Sequence, residues 1–134
     1  MSSGSSDRAA GAAGETLLVV EDNPELRALT LDRLRNLGYA VIEADGGPAA
    51  LARLKAGQKI DLIFSDVVMP GGVTGYELAA RAREHDPSIK ILLTSGYDAE
   101  VAAEQDSTGS DFRVLRKPYR QSELARTLRE VLDA

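Results

Sequence analysis

Residues 60–70 read IDLIFSDVVMP, an apolar run that stops abruptly at a carboxylate. A run of Leu62, Ile63 and Phe64 without polar alternation is typical of a strand covered on both faces, as in a parallel sheet packed between helices. In such sheets ligands bind just beyond the carboxyl ends of the strands. The pattern therefore predicts that Asp66 lies at the edge of the sheet where a functional site is expected.

The composition limits the classes of protein that need to be considered. The chain has 134 residues, 43% of them hydrophobic, which is enough for one domain with its own core. Its net charge of −5 and its 16 dispersed basic residues argue against a nucleic-acid-binding surface. The absence of cysteine excludes disulfides, thiolate nucleophiles and sulfur-ligated zinc. Neither a membrane-length apolar segment nor a signal peptide is indicated, so a cytoplasmic domain is expected.

The first residues differ in composition from the rest of the chain. Residues 1–14, MSSGSSDRAAGAAG, are mostly Ser, Gly and Ala and have no apolar periodicity. Such a segment has too little apolar surface to offset the entropy cost of ordering. We therefore predict a flexible leader or linker over residues 1–14 and a single domain over residues 15–134.

Apolar runs and helix-like segments alternate along the predicted domain. The alternation predicts a five-stranded parallel sheet of the doubly wound, flavodoxin-like kind with helices on both faces, because parallel neighbours need crossover connections. Residues 98–107 carry few large apolar side chains, so the helix expected there is predicted to be loosely packed and mobile. The predicted strands cover residues 17–20, 39–44, 60–65, 89–93 and 114–115. The first four helices are expected to begin near residues 24, 48, 74 and 98, and Leu124, Leu128, Val131 and Leu132 mark a closing helix.

Charged side chains follow several of the predicted strands. Glu21 and Asp22 end the first strand, Asp66 ends the third, and Lys117 ends the last. Since these ends share one edge of the sheet, the carboxylates would repel one another without a cation between them. Mg²⁺ prefers oxygen ligands and commonly joins carboxylates to a phosphate, and the ammonium group of Lys117 suits phosphate oxygens. The sequence therefore predicts a site for Mg²⁺ and a phosphoryl group.

Together these residues resemble the response-regulator receiver domains of bacterial phosphorelay signalling, over roughly residues 15–134. Receivers of this kind occur in hybrid sensor kinases or as single-domain regulators. The motifs that carry the resemblance are Val20-Glu21-Asp22-Asn23, Asp66-Val67-Val68-Met69-Pro70, Ser95-Gly96 and Lys117-Pro118-Tyr119.

The resemblance implies a role for each of the matched residues. Asp66 would accept a phosphoryl group from a phosphohistidine on a histidine kinase or a histidine phosphotransfer protein. Glu21, Asp22, Asp66 and the backbone carbonyl of Val68 would hold Mg²⁺, and Lys117 would neutralise charge on the phosphoryl oxygens. Such a domain acts in signalling and is not a stand-alone turnover enzyme, and its phosphorylation would shift a two-state equilibrium of its surface.

Two adjacent hydroxyls compete for the hydrogen bond to the phosphoryl group. Ser95 lies 22 residues before Lys117 and is followed by the small residue Gly96, as the family pattern requires. We therefore assign this role to Ser95, with Thr94 as the alternative.

The chain departs from the family pattern at one position that usually takes part in switching. Receivers commonly carry Tyr or Phe three residues before the lysine, and here Val114 stands there. Tyr97 and Phe112 are the candidates to replace this aromatic residue.

Other functions are possible on the same kind of scaffold. A flavin or dinucleotide module would need a Gly-rich or Ser/Thr-rich phosphate loop after the first strand, where Glu21 and Asp22 would repel phosphate. An aspartate-based phosphatase would usually carry a second acid at the position of Val68. The closer alternative is a receiver-like interaction module that is never phosphorylated, although such a module would typically have lost an acid or the lysine.

Overall fold

The chain forms alternating strands and helices, seen in a computed structural model that describes residues 14–68, 74–95 and 112–134. The predicted helix at residues 98–107 and nearly all of the predicted leader lie outside these ranges. The elements are β1 (Thr16–Val20), α1 (Pro24–Asn36), β2 (Ala40–Ala44), α2 (Gly47–Lys55), β3 (Leu62–Asp66), α3 (Gly75–His85), β4 (Lys90–Ser95), β5 (Arg113–Arg116) and α4 (Gln121–Asp133).

The strands form one parallel sheet in the order β2-β1-β3-β4-β5. This confirms the predicted five-stranded parallel sheet. The chain moves to one side of β1 to form β2 and to the other side to form β3, so the direction of winding reverses between β1 and β3. Ligand sites of doubly wound folds form at such a reversal, beyond the carboxyl ends of the two strands.

Both faces of the sheet are buried, because successive strand residues point to opposite sides. Ile63 and Leu93 belong to a core on the α2 and α3 side, whereas Phe64 and Leu92 belong to a core on the α1 and α4 side. The predicted doubly wound arrangement is thus confirmed for the described elements. The helical side chains that complete the two cores include Ala50, Leu54, Leu78, Ala79 and Ala82 on the first side and Leu31, Leu34, Leu124, Leu128 and Val131 on the second.

Helix α1 starts directly at the functional edge of the sheet. The Asn23 side chain accepts hydrogen bonds from two backbone N–H groups of the first turn, at 2.9 and 3.1 Å, and Pro24 occupies the first helical position. Leu34 is fully buried, but Leu26 and Leu29 are 48% and 49% exposed. The first turns of α1 therefore present two leucines to the surface beside the carboxyl ends of the strands.

Helix α3 begins in close contact with the end of β3. The Gly75 N–H donates to the Val67 carbonyl at 2.7 Å, and a Cβ atom at Gly75 would lie 2.3 Å from the Asp66 carbonyl oxygen. Thr74 caps the helix, with Glu77 completing a reciprocal capping box. Only glycine fits this junction, which fixes where the backbone of Asp66 lies.

Candidate functional site

The sheet register places the acidic residues of two strands side by side. Val20 of β1 is paired with Ser65 of β3, so Glu21 and Asp66 leave the sheet next to each other. Both line an open cleft of about 310 Å³ at the carboxyl edge of the sheet. The predicted meeting of the first and third strands at one edge is therefore present in the structure.

Asp66 is held by two donors that meet at the same carboxylate oxygen. The Lys117 Nζ atom lies 2.7 Å from Asp66 Oδ1, and the Thr94 hydroxyl donates a hydrogen bond to the same atom. The backbone N–H of Lys117 donates to the Ser95 carbonyl at 2.8 Å, which anchors the lysine to the end of β4. The Asp66 side chain is 18% exposed, so its carboxylate remains accessible from the cleft.

Of the two adjacent hydroxyls, the structure brings Thr94 and not Ser95 into contact with Asp66. Thr94 is paired with Asp66 across β3 and β4, so the two side chains stand on the same face of the sheet. Ser95 belongs to the opposite face. Its hydroxyl is fully buried and has no hydrogen-bond partner within the described part of the chain.

The environment of Glu21 at this edge of the sheet disfavours its ionised form. The pKa of Glu21 is raised from its ordinary value of 4.5 to about 7, mainly by burial and also by the nearby Asp66 and Asp22, against the lowering effect of a hydrogen bond from the Asn23 N–H. That hydrogen bond to Glu21 Oε2 is 3.0 Å long. Asp22 itself is exposed to solvent. The acidic edge therefore favours a cation.

The predicted metal ligands are only partly assembled. In the ranges that the structure describes, no group of three or more acidic or histidine side chains forms a ready-made metal centre. Glu21 and Asp66 nevertheless share the cleft, Asp22 follows Glu21 directly, and Val68 lies two residues beyond Asp66. Carboxylate and carbonyl oxygens with an excess of negative charge are the donors that Mg²⁺ prefers, so the residues fit this ion.

Arg27 stabilises the acidic edge and was not singled out by the sequence analysis. Its guanidinium donates to the Glu21 carbonyl at 2.8 Å and to Glu43 Oε1 at 2.9 Å, which joins the loop after β1 to the end of β2. An arginine one turn into a helix carries no distinctive sequence signal. Only the fold shows that it reaches back to the backbone of Glu21.

Apolar and aromatic side chains border the cleft on the α1 side. Leu26 and Leu29 line it, and so does Tyr119, whose ring meets Phe64 edge-on with centroids 6.5 Å apart. The Arg33 guanidinium lies 5.9 Å from the centre of the Tyr119 ring. Tyr119 therefore packs against the core beside the site.

Val114 occupies the position where receivers commonly carry an aromatic residue, and its aliphatic side chain packs against the core. Val114 is half-buried against the core on the α2 and α3 side, the same side as Ser95. Phe112 packs against this core too, with its ring centroid 6.4 Å from that of Tyr76 and the Arg83 guanidinium 5.2 Å away. Tyr97, the other candidate, lies outside the described residues.

Comparison with known proteins bears directly on this arrangement. A family model described as the response regulator receiver domain matches residues 17–129. The chain belongs to this family. The receiver domain is 36% identical over 119 residues to the response regulator receiver protein CpdR of Brucella abortus (strain 2308), with 88% of this chain and 97% of CpdR covered. It is 35% identical over 119 residues to the sensor kinase CckA of the same organism, of which it spans only 12%.

Solved structures show the same architecture. A response regulator receiver protein from Sinorhizobium medicae WSM419 matches with a TM-score of 0.80 and 29% identity, covering 91% of this chain and 97% of that one. The receiver domain of the hybrid histidine kinase CckA matches with a TM-score of 0.69 and 29% identity, covering 87% of this chain and 98% of that one. The relatives thus include free-standing receivers and receivers within hybrid kinases, as the sequence predicted.

Membership of this family defines the class of function. The chain is a phosphoacceptor receiver domain of two-component signalling, and receivers of this kind pair with histidine kinases or histidine phosphotransfer proteins. Within the described ranges, no helix combines the length and apolarity needed to cross a membrane.

Proposed function

We propose that Asp66 is the phosphoacceptor of this receiver domain. The observation that carries the proposal is the 2.7 Å contact between Lys117 Nζ and Asp66 Oδ1 at the carboxyl edge of the sheet. A carboxylate that is accessible and paired with an ammonium group is suited to receive a phosphoryl group, because the ammonium can interact with the incoming oxygens.

The proposed reaction transfers a phosphoryl group from a phosphohistidine of the partner to Asp66. A carboxylate oxygen of Asp66 attacks phosphorus, the P–N bond breaks, and its electron pair returns to the imidazole of the partner. Lys117 neutralises charge on the phosphoryl oxygens, and the strand ends hold the carboxylate in position. The domain acts as a carrier whose own side chain is modified, and it is not a turnover enzyme.

The proposal includes a bound Mg²⁺. Glu21, Asp22, Asp66 and the backbone carbonyl of Val68 would hold the ion, and when bound it supplies positive charge to the phosphoryl oxygens. The support comes from the acidic edge itself, where Glu21 is partly buried beside Asp66 and Asp22 and its pKa is raised to about 7.

The proposal also assigns the hydroxyl that detects the phosphoryl group. Ser95 takes this role because its buried hydroxyl lacks a partner among the described residues, and a buried donor without an acceptor is costly. Val114 lies on the same side of the sheet, so a response by Ser95 would be transmitted through aliphatic packing where most receivers use an aromatic ring.

The proposal also covers the phosphodonor and its location in the cell. The donor is a histidine kinase or a histidine phosphotransfer protein of the cytoplasm, where phosphohistidine is made from ATP. The acidic net charge of −5 supports a protein partner over nucleic acid.

Phosphorylation of the full chain by acetyl phosphate tests the assignment of Asp66. We expect a mass increase of one phosphoryl group that requires Mg²⁺ and disappears in Asp66→Asn. The matched control is Asp61→Asn, because Asp61 precedes the same strand but lies at its other end, where its carboxylate accepts a hydrogen bond from the Thr16 N–H at 2.8 Å. Labelling should persist in this control.

Two other results of the acetyl phosphate experiment would contradict the assignment of Asp66. Labelling that persists in Asp66→Asn would place the acceptor on another residue. A wild-type chain that remains unmodified with Mg²⁺ and donor present would favour the phosphorylation-independent interaction module.

A further inference from the structure

Thr94 makes a contact that neither the proposed acceptor chemistry nor the proposed hydroxyl switch uses. Its hydroxyl donates to Asp66 Oδ1, the same oxygen that lies 2.7 Å from Lys117 Nζ. Thr94 is 2% exposed, so it donates this hydrogen bond from a buried position beside the carboxylate. Hydrogen bonds to an ionised acceptor are roughly twice as strong as those to a neutral one.

The backbone fixes this contact firmly. Thr94 is paired with Asp66 in the β3–β4 register, and the Val67 N–H donates to the Thr94 carbonyl at 2.9 Å. The branched side chain of threonine has few rotamers, so its hydroxyl has little freedom to turn elsewhere. The adjacent Ser95 hydroxyl does not make this hydrogen bond to the free carboxylate.

We propose that Thr94 is a positioning residue that stabilises the free carboxylate of Asp66 and thereby shortens the lifetime of the phosphorylated form. This inference rests on the proposed function of Asp66 as acceptor. It assigns different roles to the two adjacent hydroxyls, with Thr94 acting on the carboxylate and Ser95 on the phosphoryl group.

The effect follows from where charge appears when the phosphoryl group is lost. A water oxygen attacks phosphorus, the bond between phosphorus and the Asp66 oxygen breaks, and its electron pair returns to the carboxylate. Inorganic phosphate leaves with the oxygen of the water, and the two protons of the water pass to phosphate and solvent. Since the carboxylate regains its negative charge during this step, the Thr94 hydrogen bond strengthens and favours the loss.

The same hydrogen bond has the opposite effect on phosphoryl acceptance. There the carboxylate gives up its charge, so a donor bound to it stabilises the starting state. Removing the Thr94 hydroxyl should therefore slow the loss of the phosphoryl group and should not slow its acceptance. A mere packing defect would disturb the site and slow both steps.

The test compares the full-length wild-type chain with Thr94→Val, using acetyl phosphate as donor in the presence of Mg²⁺. The rate of acceptance is measured by intact mass, and the rate of loss is measured after the donor has been removed. We expect Thr94→Val to lengthen the lifetime of the phosphorylated chain by about three- to tenfold, the difference expected between hydrogen bonds to charged and neutral acceptors. The rate of acceptance should equal or exceed that of the wild type.

Three further variants separate the hydrogen bond from packing. Thr94→Ser keeps a hydroxyl and should restore a short lifetime, whereas Thr94→Ala lacks one and should behave like Thr94→Val. Thr127→Val removes the hydroxyl of another buried threonine, on α4, and should leave the lifetime unchanged.

The outcomes distinguish this inference from the proposal on which it rests. An unchanged or shorter lifetime in Thr94→Val and Thr94→Ala, or a Thr94→Ser lifetime as long as theirs, would overturn the role of Thr94 while leaving Asp66 as acceptor. A wild-type chain that is not labelled on Asp66 would overturn both.

Discussion

Single residues around Asp66 contribute more to chemistry than to stability. The Lys117 side chain is 37% exposed, and ion pairs at such exposed positions contribute at most about 1 kcal/mol to folding. Glu21 carries a cost because it is partly buried near two other acids. The structure thus keeps an acid close to the acceptor at the expense of stability, which is common at functional sites.

Replacing Glu21 by Gln should stabilise the domain in the absence of Mg²⁺. The folded state raises the pKa of Glu21 from 4.5 to about 7, so its ionised form is disfavoured on folding. Because the side chain is only partly buried, we expect a gain of only about 1 kcal/mol after allowing for solvent screening. The measurement is urea unfolding at alkaline pH with a chelator present.

The stability gain from Glu21→Gln should depend on pH, because folding raises the pKa of Glu21. The folded state binds the Glu21 proton more tightly than the unfolded state does. Protonation of Glu21 therefore adds to the free energy of unfolding below the ordinary pKa of 4.5, and this contribution is lost as the pH rises through about 7. The gain from Glu21→Gln should therefore vanish in acid. Glu84→Gln, which changes an exposed acid on α3, serves as the control. A Glu21→Gln chain no more stable than this control at alkaline pH would contradict the account.

At the scale of elements, the junction between β3 and α3 positions the acceptor. A Cβ atom at Gly75 would lie 2.3 Å from the Asp66 carbonyl oxygen and 2.9 Å from the Val67 Cα atom. We expect Gly75→Ala to destabilise the domain by about 1–3 kcal/mol, the usual cost of overpacking, and to slow phosphorylation because the backbone of Asp66 must move. Thermal unfolding and the rate of labelling by acetyl phosphate measure the two effects.

Gly46→Ala provides the matched comparison for this junction. A Cβ atom at Gly46 would meet only the Pro48 Cδ atom, at 3.9 Å, which is an ordinary contact. Labelling should be nearly unaffected in this variant. Equal effects of the two substitutions on labelling would show that the close approach at Gly75 does not position Asp66.

The end of β4 shows where prediction from sequence reaches its limit. The spacing to Lys117 selected Ser95, but the residue in contact with Asp66 is Thr94. Which of two adjacent residues shares a face with Asp66 depends on the pairing of β3 with β4, since a shift of one residue reverses every side chain. The sequence does not contain this register, and the assignment of the switch hydroxyl to Ser95 stays a prediction.

At the scale of the whole molecule, the fold was the most predictable feature. β1, β3 and β4 each contain three or four consecutive apolar residues because both of their faces are covered, and that pattern is readable without coordinates. The orientation of α1 was harder to predict. Leu26 and Leu29 share the apolar spacing of the buried Leu34, yet they line the cleft and are about half exposed.

The most direct measurement is the identification of the phosphorylated side chain in the intact domain. Borohydride reduction of an aspartyl phosphate leaves homoserine, which peptide mass spectrometry can locate. After treatment with acetyl phosphate and Mg²⁺, we expect homoserine at position 66 and at no other aspartate. Homoserine at Asp22 or Asp61, or a phosphoryl group that resists reduction, would contradict it.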